Sequence, residues 1–520
     1  MIDYGLLSSF FLLKSVNNMK IVPRSKTFTF VYPDFEYNVT KTGIKPEPGG
    51  WYHEGIAQLA AIIEQKEWNV NLIHLRKPLK KEKFLELISE HDPDIVGFSV
   101  RTGVREYAKN LIKWTASLDK FIIAGSYHPT LWPDEVIKWE GIDAICLGEG
   151  EKPVEQLLDA ANSDKEIDSI GSLWFKDGNG KIKKNTVQPL NEKLDDLPLP
   201  KFEIFDFKNL IASQIKAAII VLTRGCPYNC TYCWNNFARN LYPNKQCYVR
   251  YRSPKNCIKY IEKVKEAYPE VMSFRFQDDL WPFYNDWFEN FSKEYDEHLA
   301  LPFECHLRAN LLTEDIIKRL KEIKCFGIYF GVESGNDYIR NTILKRNMTE
   351  QVLLDAFSAC RKHGIRTHAY NIVGLPHENM KTVLDTVKLN AKLQPTDMFF
   401  PVFFPYAGSE LYKIAVESGY FDPAKPLKPD VNVEMPDFKK NQIKFSSLYS
   451  KTFVRLYQLV FKLPGVFKRV FESTLDIAWL FPYWPFPLCN WYIKMKRKFE
   501  GKLKVFIKMR FFNLYLILKK

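Results

Sequence analysis

Three cysteines fall within eight residues, in Cys226-Pro227-Tyr228-Asn229-Cys230-Thr231-Tyr232-Cys233. Thiolates are soft donors, and three so close in the chain can wrap one soft metal centre. The count matters: a closed structural site takes four protein ligands, whereas three leave one position for a substrate or cofactor. Two other readings stay open, a zinc site completed by Cys247 or Cys257 and unmetallated buried thiols. Zinc usually takes two tight Cys pairs, a pattern different from this one. Ten cysteines in 520 residues are too sparse for a disulfide scaffold, and the crowding of three suits a reducing compartment, so a cytoplasmic enzyme is expected.

The elements that must position these thiols alternate between two periods. Strands are expected at residues 217–222, 272–277, 303–306, 326–330, 367–373 and 398–403, with helical stretches near 255–266, 284–296, 313–323, 350–363 and 379–392 between them. Six β/α units make most of a barrel, whose chemistry gathers at the carboxyl ends of its strands. The first strand leads into the cysteine segment. The second ends in Asp278-Asp279, the third in His306-Leu307-Arg308, the fourth in Gly331-Val332-Glu333-Ser334-Gly335 and the fifth in Gly374-Leu375-Pro376. A barrel that was only core would have no reason to collect charged, Gly and Cys residues at one rim. For Asp278 and Asp279 a turn or cap is the plainer role, and for Arg308 a structural ion pair.

Ahead of this lies a second alternating region. Residues 27–32, 70–75, 95–100, 121–124 and 144–147 read as strands, with helical spacing at 56–63, 81–91, 104–117 and from Lys152. Such alternation predicts a doubly wound parallel sheet with ligands outside the carboxyl ends of its strands. Those ends carry small and turn-forming residues: Ser99-Val100-Arg101-Thr102-Gly103, Gly125-Ser126-Tyr127-His128-Pro129-Thr130 and Gly148-Glu149-Gly150-Glu151. The expected organisation is therefore α/β throughout. It comprises an extension (1–26), the parallel-sheet domain (27–190), a Pro-rich linker (191–210), a partial (β/α)6 barrel (211–410) and a mostly helical extension (411–520), basic and aromatic from 451.

The Cys-x3-Cys-x2-Cys spacing, with aromatic Tyr232 before the third Cys, resembles that of the radical SAM superfamily. The Gly-x-x-His-Pro-Thr segment and the Gly-Glu-Gly-Glu turn resemble the cobalamin-binding domain found in front of many such enzymes. The resemblance runs over about residues 50–410. It implies a 4Fe-4S cluster held by Cys226, Cys230 and Cys233, whose fourth iron chelates S-adenosylmethionine (SAM) and whose electron yields a 5′-deoxyadenosyl radical. By the same resemblance Glu333 is a polar contact to SAM and Tyr232 lies beside the cofactor. Asp278, Asp279 and Arg308 are candidates for further SAM or substrate contacts. Thr102, Gly125, His128, Pro129, Gly148 and Glu149 are candidates for cobalamin. The Asp-x-His-x-x-Gly cobalt motif of other cobalamin enzymes is broken here, since Trp51 replaces its Asp and Ile56 its Gly. No cobalt ligand is therefore carried over to His53.

The resemblance implies methylation of an unactivated carbon of a small-molecule or lipid substrate, with an electron donor such as flavodoxin or ferredoxin. Ring formation or rearrangement with the same cofactors is the alternative, and a cobalamin-dependent sensor without catalysis a second. Methylthiotransferases carry extra cluster cysteines in their N-terminal domain, where this chain has only Cys146.

The formal charge of +13 sits at one end. Residues 451–520 hold 15 Lys and Arg against Glu472, Asp476 and Glu500, leaving 59 basic and 58 acidic side chains in the first 450. A near-neutral body with a basic tail is not a chain shaped for nucleic acid, and no RNA-binding module is visible. Seventeen of the last 70 residues are Phe, Trp or Tyr. That mixture suits a peripheral membrane contact, or a helical unit packing its aromatic face on the barrel. No run approaches the length that spans a bilayer, and the apolar stretch near Phe10–Leu13 lacks the flanks of a signal peptide.

Overall fold

The computed structural model describes residues 20–480 apart from 41–42, 284–285 and 426–430. Strand β1 (Thr27–Pro33), a β-branched and aromatic run, is buried at every residue, which demands neighbours on both edges and both faces. The hairpin β2 (Phe35–Thr40) and β3 (Gly43–Pro48) follows it. β4 (Asn69–Leu75) then pairs with one edge of β1 and β5 (Ile95–Ser99) with the other, both in parallel. Outward from β5 come β6 (Phe121–Gly125), β7 (Ala144–Cys146), β8 (Leu173–Lys176) and β9 (Ile182–Lys184). β6 and β7 are parallel, and the last two strands return antiparallel. Because the chain leaves β1 first to one side and then to the other, strand order reverses between β1 and β5, where sheets of this kind hold their ligands.

The hairpin and the antiparallel pair at the sheet's far edge were not expected from sequence. The hairpin contains Pro46 and Pro48, and Pro weakens any strand signal because it cannot donate to a ladder. β9 is only three residues long.

The second sheet is purely parallel and runs in chain order: β10 (Ala217–Ile220), β13 (Ser273–Phe276), β14 (Phe303–Leu307), β15 (Cys325–Glu333), β16 (Arg366–Asn371) and β17 (Asp397–Phe399). Between its first two strands a short antiparallel ribbon, β11 (Thr223–Arg224) with β12 (Arg250–Tyr251), brackets the cysteine loop. Helices such as Pro254–Ala267, Glu350–Lys362 and Met380–Leu393 return the chain, as a partial barrel requires. A buried polar cluster spans β13 to β16. Arg275 lies 3.0 Å from Glu304 and Tyr329 stacks on His368 at 4.2 Å. Burial works to raise the Glu304 carboxyl, but His368, Arg275 and Arg366 overcome it and hold it well below the usual range.

Beyond the barrel, helices Lys440–Val460 and Gly465–Leu480 form a hairpin against Met380–Leu393. Fully buried Trp479 is its anchor, ringed by Phe445 and Phe453, with its indole N–H donating to the Met380 carbonyl at 2.8 Å. Lys388 ties down the same face through Glu472 (3.0 Å) and Asp476 (2.8 Å). Packing of the aromatic face on the barrel, one of the two readings of the basic extension, therefore holds for this part of it. Residues 481–520, with the proline-broken aromatic run and the Lys494–Lys498 cluster, lie outside the described residues.

Candidate active site

The cysteine loop is pinned at both ends by two adjacent carboxylates. Asp278 follows β13, and its Oδ1 accepts the backbone N–H of Leu222 and of Thr223, both at 2.7 Å, and the Thr223 hydroxyl at 2.9 Å. Burial raises its carboxyl to about 6 despite these donors. Asp279 accepts the Gly225 N–H at 3.1 Å on one oxygen and the Asn235 amide at 2.8 Å on the other, one residue before the first cysteine and two after the last. Gly225 has φ +86° with the Tyr248 backbone against the position a Cβ would take, so no other residue fits this turn. The two aspartates thus hold the loop, and Asp278 in particular spends its Oδ1 on the chain's own donors.

Above the loop two arginines converge on Cys230, with Arg308 Nη1 3.5 Å and Arg346 Nη1 3.8 Å from its sulfur. Arg308 also lies over the Tyr228 ring at 3.7 Å. Asn235 Nδ2 is 3.8 Å from the Cys233 sulfur. Burial raises the Cys226 thiol and pushes that of Cys233 up to about 12, so as free groups both are protonated and a metal would displace the protons. Among the described residues no group of three or more His, Cys, Asp or Glu converges tightly enough for a single metal ion. A 4Fe-4S cluster makes a different demand, one thiolate on each of three irons.

Glu333 ends β15 at φ +65°, just past an irregularity in the β15–β16 register, a distortion of the kind that re-aims a side chain at a sheet rim. Tyr232, within the cysteine segment, donates its hydroxyl to Glu333 Oε1 at 3.0 Å and receives Arg346 Nη1 at 3.1 Å. Arg346 also bonds the Gly331 carbonyl. Burial raises the Glu333 carboxyl, and Arg346 and the Tyr232 hydroxyl oppose the rise. One chain of contacts therefore joins a cysteine thiol, an arginine, a tyrosine and the glutamate.

The rim of the first sheet faces this site through its third turn. Glu149 lies 3.2 Å from Arg224 and 3.0 Å from Arg250, and Glu151 lies 2.7 Å from Arg224. The Glu149 N–H donates to the Tyr242 hydroxyl at 2.9 Å, and Gly148, at φ +74°, has that same hydroxyl where a Cβ would sit. Thr130 bridges two turns by accepting the Gly148 N–H at 3.2 Å and donating to the Ser126 carbonyl at 2.9 Å. Buried Pro129 and Gly125, which ends β6, lie on the same segment. His128 is buried between Trp132 and Trp139, 3.7 Å from Glu135, with neither ring nitrogen hydrogen-bonded. Gly148 and Glu149 thus contact the second domain, while His128 packs inside the first.

Thr102 and Ser99 sit differently. Both are buried at the carboxyl end of β5, beside the point where strand order reverses, and both hydroxyls lack a partner. Orphaned buried hydroxyls are costly, and a polar ligand seated there would satisfy them, so this end of the sheet fits cobalamin. His53 caps helix Glu54–Gln65, its Nδ1 accepting the Ile56 N–H at 3.3 Å, and burial lowers its ring to about 4.

Arg224, Arg250, Arg346, Asn235 and Tyr242 were not singled out from sequence. Arg224 stands two residues ahead of Cys226 and was legible by position. Arg346 follows a π-helical turn, Tyr338–Ile343, and carries no periodic signal.

Comparison with known proteins agrees with this arrangement. Residues 220–389 match the radical SAM superfamily and residues 48–158 the B12 binding domain. An uncharacterised methyltransferase of Pyrococcus horikoshii is 27% identical over 413 residues, covering 78% of this chain and 87% of its own. Cytidylyl-2-hydroxyethylphosphonate methyltransferase of Streptomyces wedmorensis is 20% identical over 434 residues, 72% and 80% of the two chains. Among solved structures, the radical S-adenosylmethionine methyltransferase TsrM of Kitasatospora setae superposes with a TM-score of 0.59 at 17% identity, over 76% of this chain and 77% of its own.

Proposed function

We propose that this chain, a cobalamin-dependent radical SAM enzyme that joins a B12-binding domain to a radical SAM domain, transfers a methyl group to an unactivated carbon of a small-molecule or lipid substrate. The observation that carries the reading is the contact of Glu149 and Glu151 with Arg224, which fastens the rim of the first domain to the strand launching the cysteine loop. Two cofactor sites fastened at one rim can serve a single substrate between them. The methyltransferases among the relatives favour this chemistry over ring formation.

When bound, the cluster and cobalamin supply respectively the electron that cleaves SAM and the carrier for the methyl group. In this reading Cys226, Cys230 and Cys233 hold the cluster, and the guanidinium groups of Arg308 and Arg346 stabilise the thiolate of Cys230. Glu333, oriented by Tyr232, binds a polar group of SAM. Asp278 and Asp279 act on the loop rather than on the cofactor. Ser99 and Thr102 bond cobalamin. A radical SAM enzyme requires a reductant, and a flavodoxin or ferredoxin is the donor proposed here.

The test is anaerobic reconstitution with iron, sulfide and cobalamin, followed by incubation with SAM and a strong one-electron reductant such as dithionite. Both 5′-deoxyadenosine and S-adenosylhomocysteine are expected, and Cys226→Ala should abolish the former. Deoxyadenosine without any S-adenosylhomocysteine would reject methyl transfer.

A further inference from the structure

The helical hairpin after the barrel has two unlike ends. Its inner face, around Trp479, Glu472 and Asp476, is fixed to the helix Met380–Leu393. The opposite face of the second helix is apolar and bare: Val466 is 74% exposed, Phe467 64%, Val470 58% and Phe471 50%. Positions 466, 467, 470 and 471 share one side of a helix, and exposed Ile477 continues the stripe. Leu459, 63% exposed, adds to it from the end of the first helix. A bare stripe of this kind on a soluble surface marks a binding face.

Charge decides what binds there. Residues 455–471 contain Arg455, Lys462, Lys468 and Arg469 and no acidic residue. Residues 481–493 of the same chain carry no charge and residues 494–520 carry ten Lys and Arg against Glu500 alone, so this segment does not supply the anionic border that these cations call for. A second copy meeting it about a twofold axis would set four positive charges against four. The complementary surface is apolar beneath and anionic at its border. Among the described residues no helix is long and apolar enough to cross a membrane, so the contact lies in the interface plane.

We propose that this hairpin seats the enzyme on an anionic lipid bilayer, with Phe467 and Phe471 entering below the headgroups and Lys462, Lys468 and Arg469 lying among them. The inference is independent of the chemistry at the cluster. In flotation of the full-length chain with vesicles, binding is expected to phosphatidylglycerol-containing vesicles and to weaken sharply for pure phosphatidylcholine and at high salt. The double variant Phe467→Glu/Phe471→Glu should lower partitioning at least about tenfold, as should Lys468→Glu/Arg469→Glu. Both should cleave SAM at the wild-type rate, which confirms folding. Undiminished binding by the Phe variant would overturn the proposal and assign membrane contact to residues 481–520. Absence of wild-type binding would overturn it too, as would a wild-type dimer in sedimentation that the Phe variant dissolves, which would make the face a contact between copies.

Discussion

The Glu149 carboxylate lies 3.2 Å from the guanidinium of Arg224, across the boundary between the two sheets. Arg224 and Arg250 are register partners in the ribbon bracketing the cysteine loop, and like charges directly opposite one another destabilise a strand pair. Glu149 reaches both. Burial works against its charge, yet the two arginines hold its carboxyl below the usual range.

Glu149→Gln should therefore leave buried Arg250 without its carboxylate, opposite an Arg224 that keeps only Glu151. Removing one partner of such a group costs about 3 kcal/mol. Urea unfolding at neutral pH is the measurement, with the iron content of the reconstituted variant as a second readout. An unchanged midpoint and full iron content would remove the contact from both roles.

Gly225→Ala tests the turn ahead of the cysteines. At φ +86° a side chain is strained by roughly 1–2 kcal/mol, and here it also meets the Tyr248 backbone. Cluster content, read as iron and acid-labile sulfide bound per chain, should fall well below that of the wild type. Normal loading would show that the loop adapts.

Arg346→Met removes the donor shared by Tyr232, the Gly331 carbonyl and the Cys230 sulfur. Losing a charge-assisted bond of ~1.5–3 kcal/mol should raise the KM for SAM by about tenfold to a hundredfold. The midpoint potential of the cluster should become more negative, because a cation that favours the added electron is gone. An EPR redox titration checks the second effect. A change in KM with no shift in potential would confine Arg346 to the SAM side.

Glu378 gives a pH prediction. It is fully buried behind the fifth strand's turn, and its Oε2 accepts the N–H of Gly374 at 2.8 Å and of Leu375 at 3.0 Å. Burial raises its carboxyl from 4.5 to about 8. A carboxyl whose proton is held more tightly in the folded state stabilises fully below its unfolded pKa, and that contribution is lost as pH rises through the folded pKa. Stability should decline between about pH 4.5 and 8, by up to ~1.4 kcal/mol per unit from this group. Glu378→Gln keeps an acceptor for both N–H groups and should flatten the decline. Equal slopes in urea unfolding at pH 6 and 8 for both proteins would rule out this assignment.

The fold was legible where periodicity is local. The six barrel strands and the helices between them follow from spacings of two and 3.6, and the reactive rim follows from what ends each strand. Other parts depend on distant partners. Nothing near Asp278 in sequence says that its carboxylate folds onto Leu222 and Thr223, and nothing in Gly148-Glu149-Gly150-Glu151 says that its charges meet Arg224 and Arg250. A turn that the resemblance makes a cofactor candidate also holds the neighbouring domain, and a short acidic loop looks the same in either role.

Glu149 is also made 75 residues before Arg224. During synthesis the first domain can fold while the ribbon and its cysteines are still unmade, since domains form from the N-terminus onward. The opposed arginines then emerge to find their counter-charges already in place. The order of the chain thus lets the parallel-sheet domain form first and the cysteine loop take shape upon it.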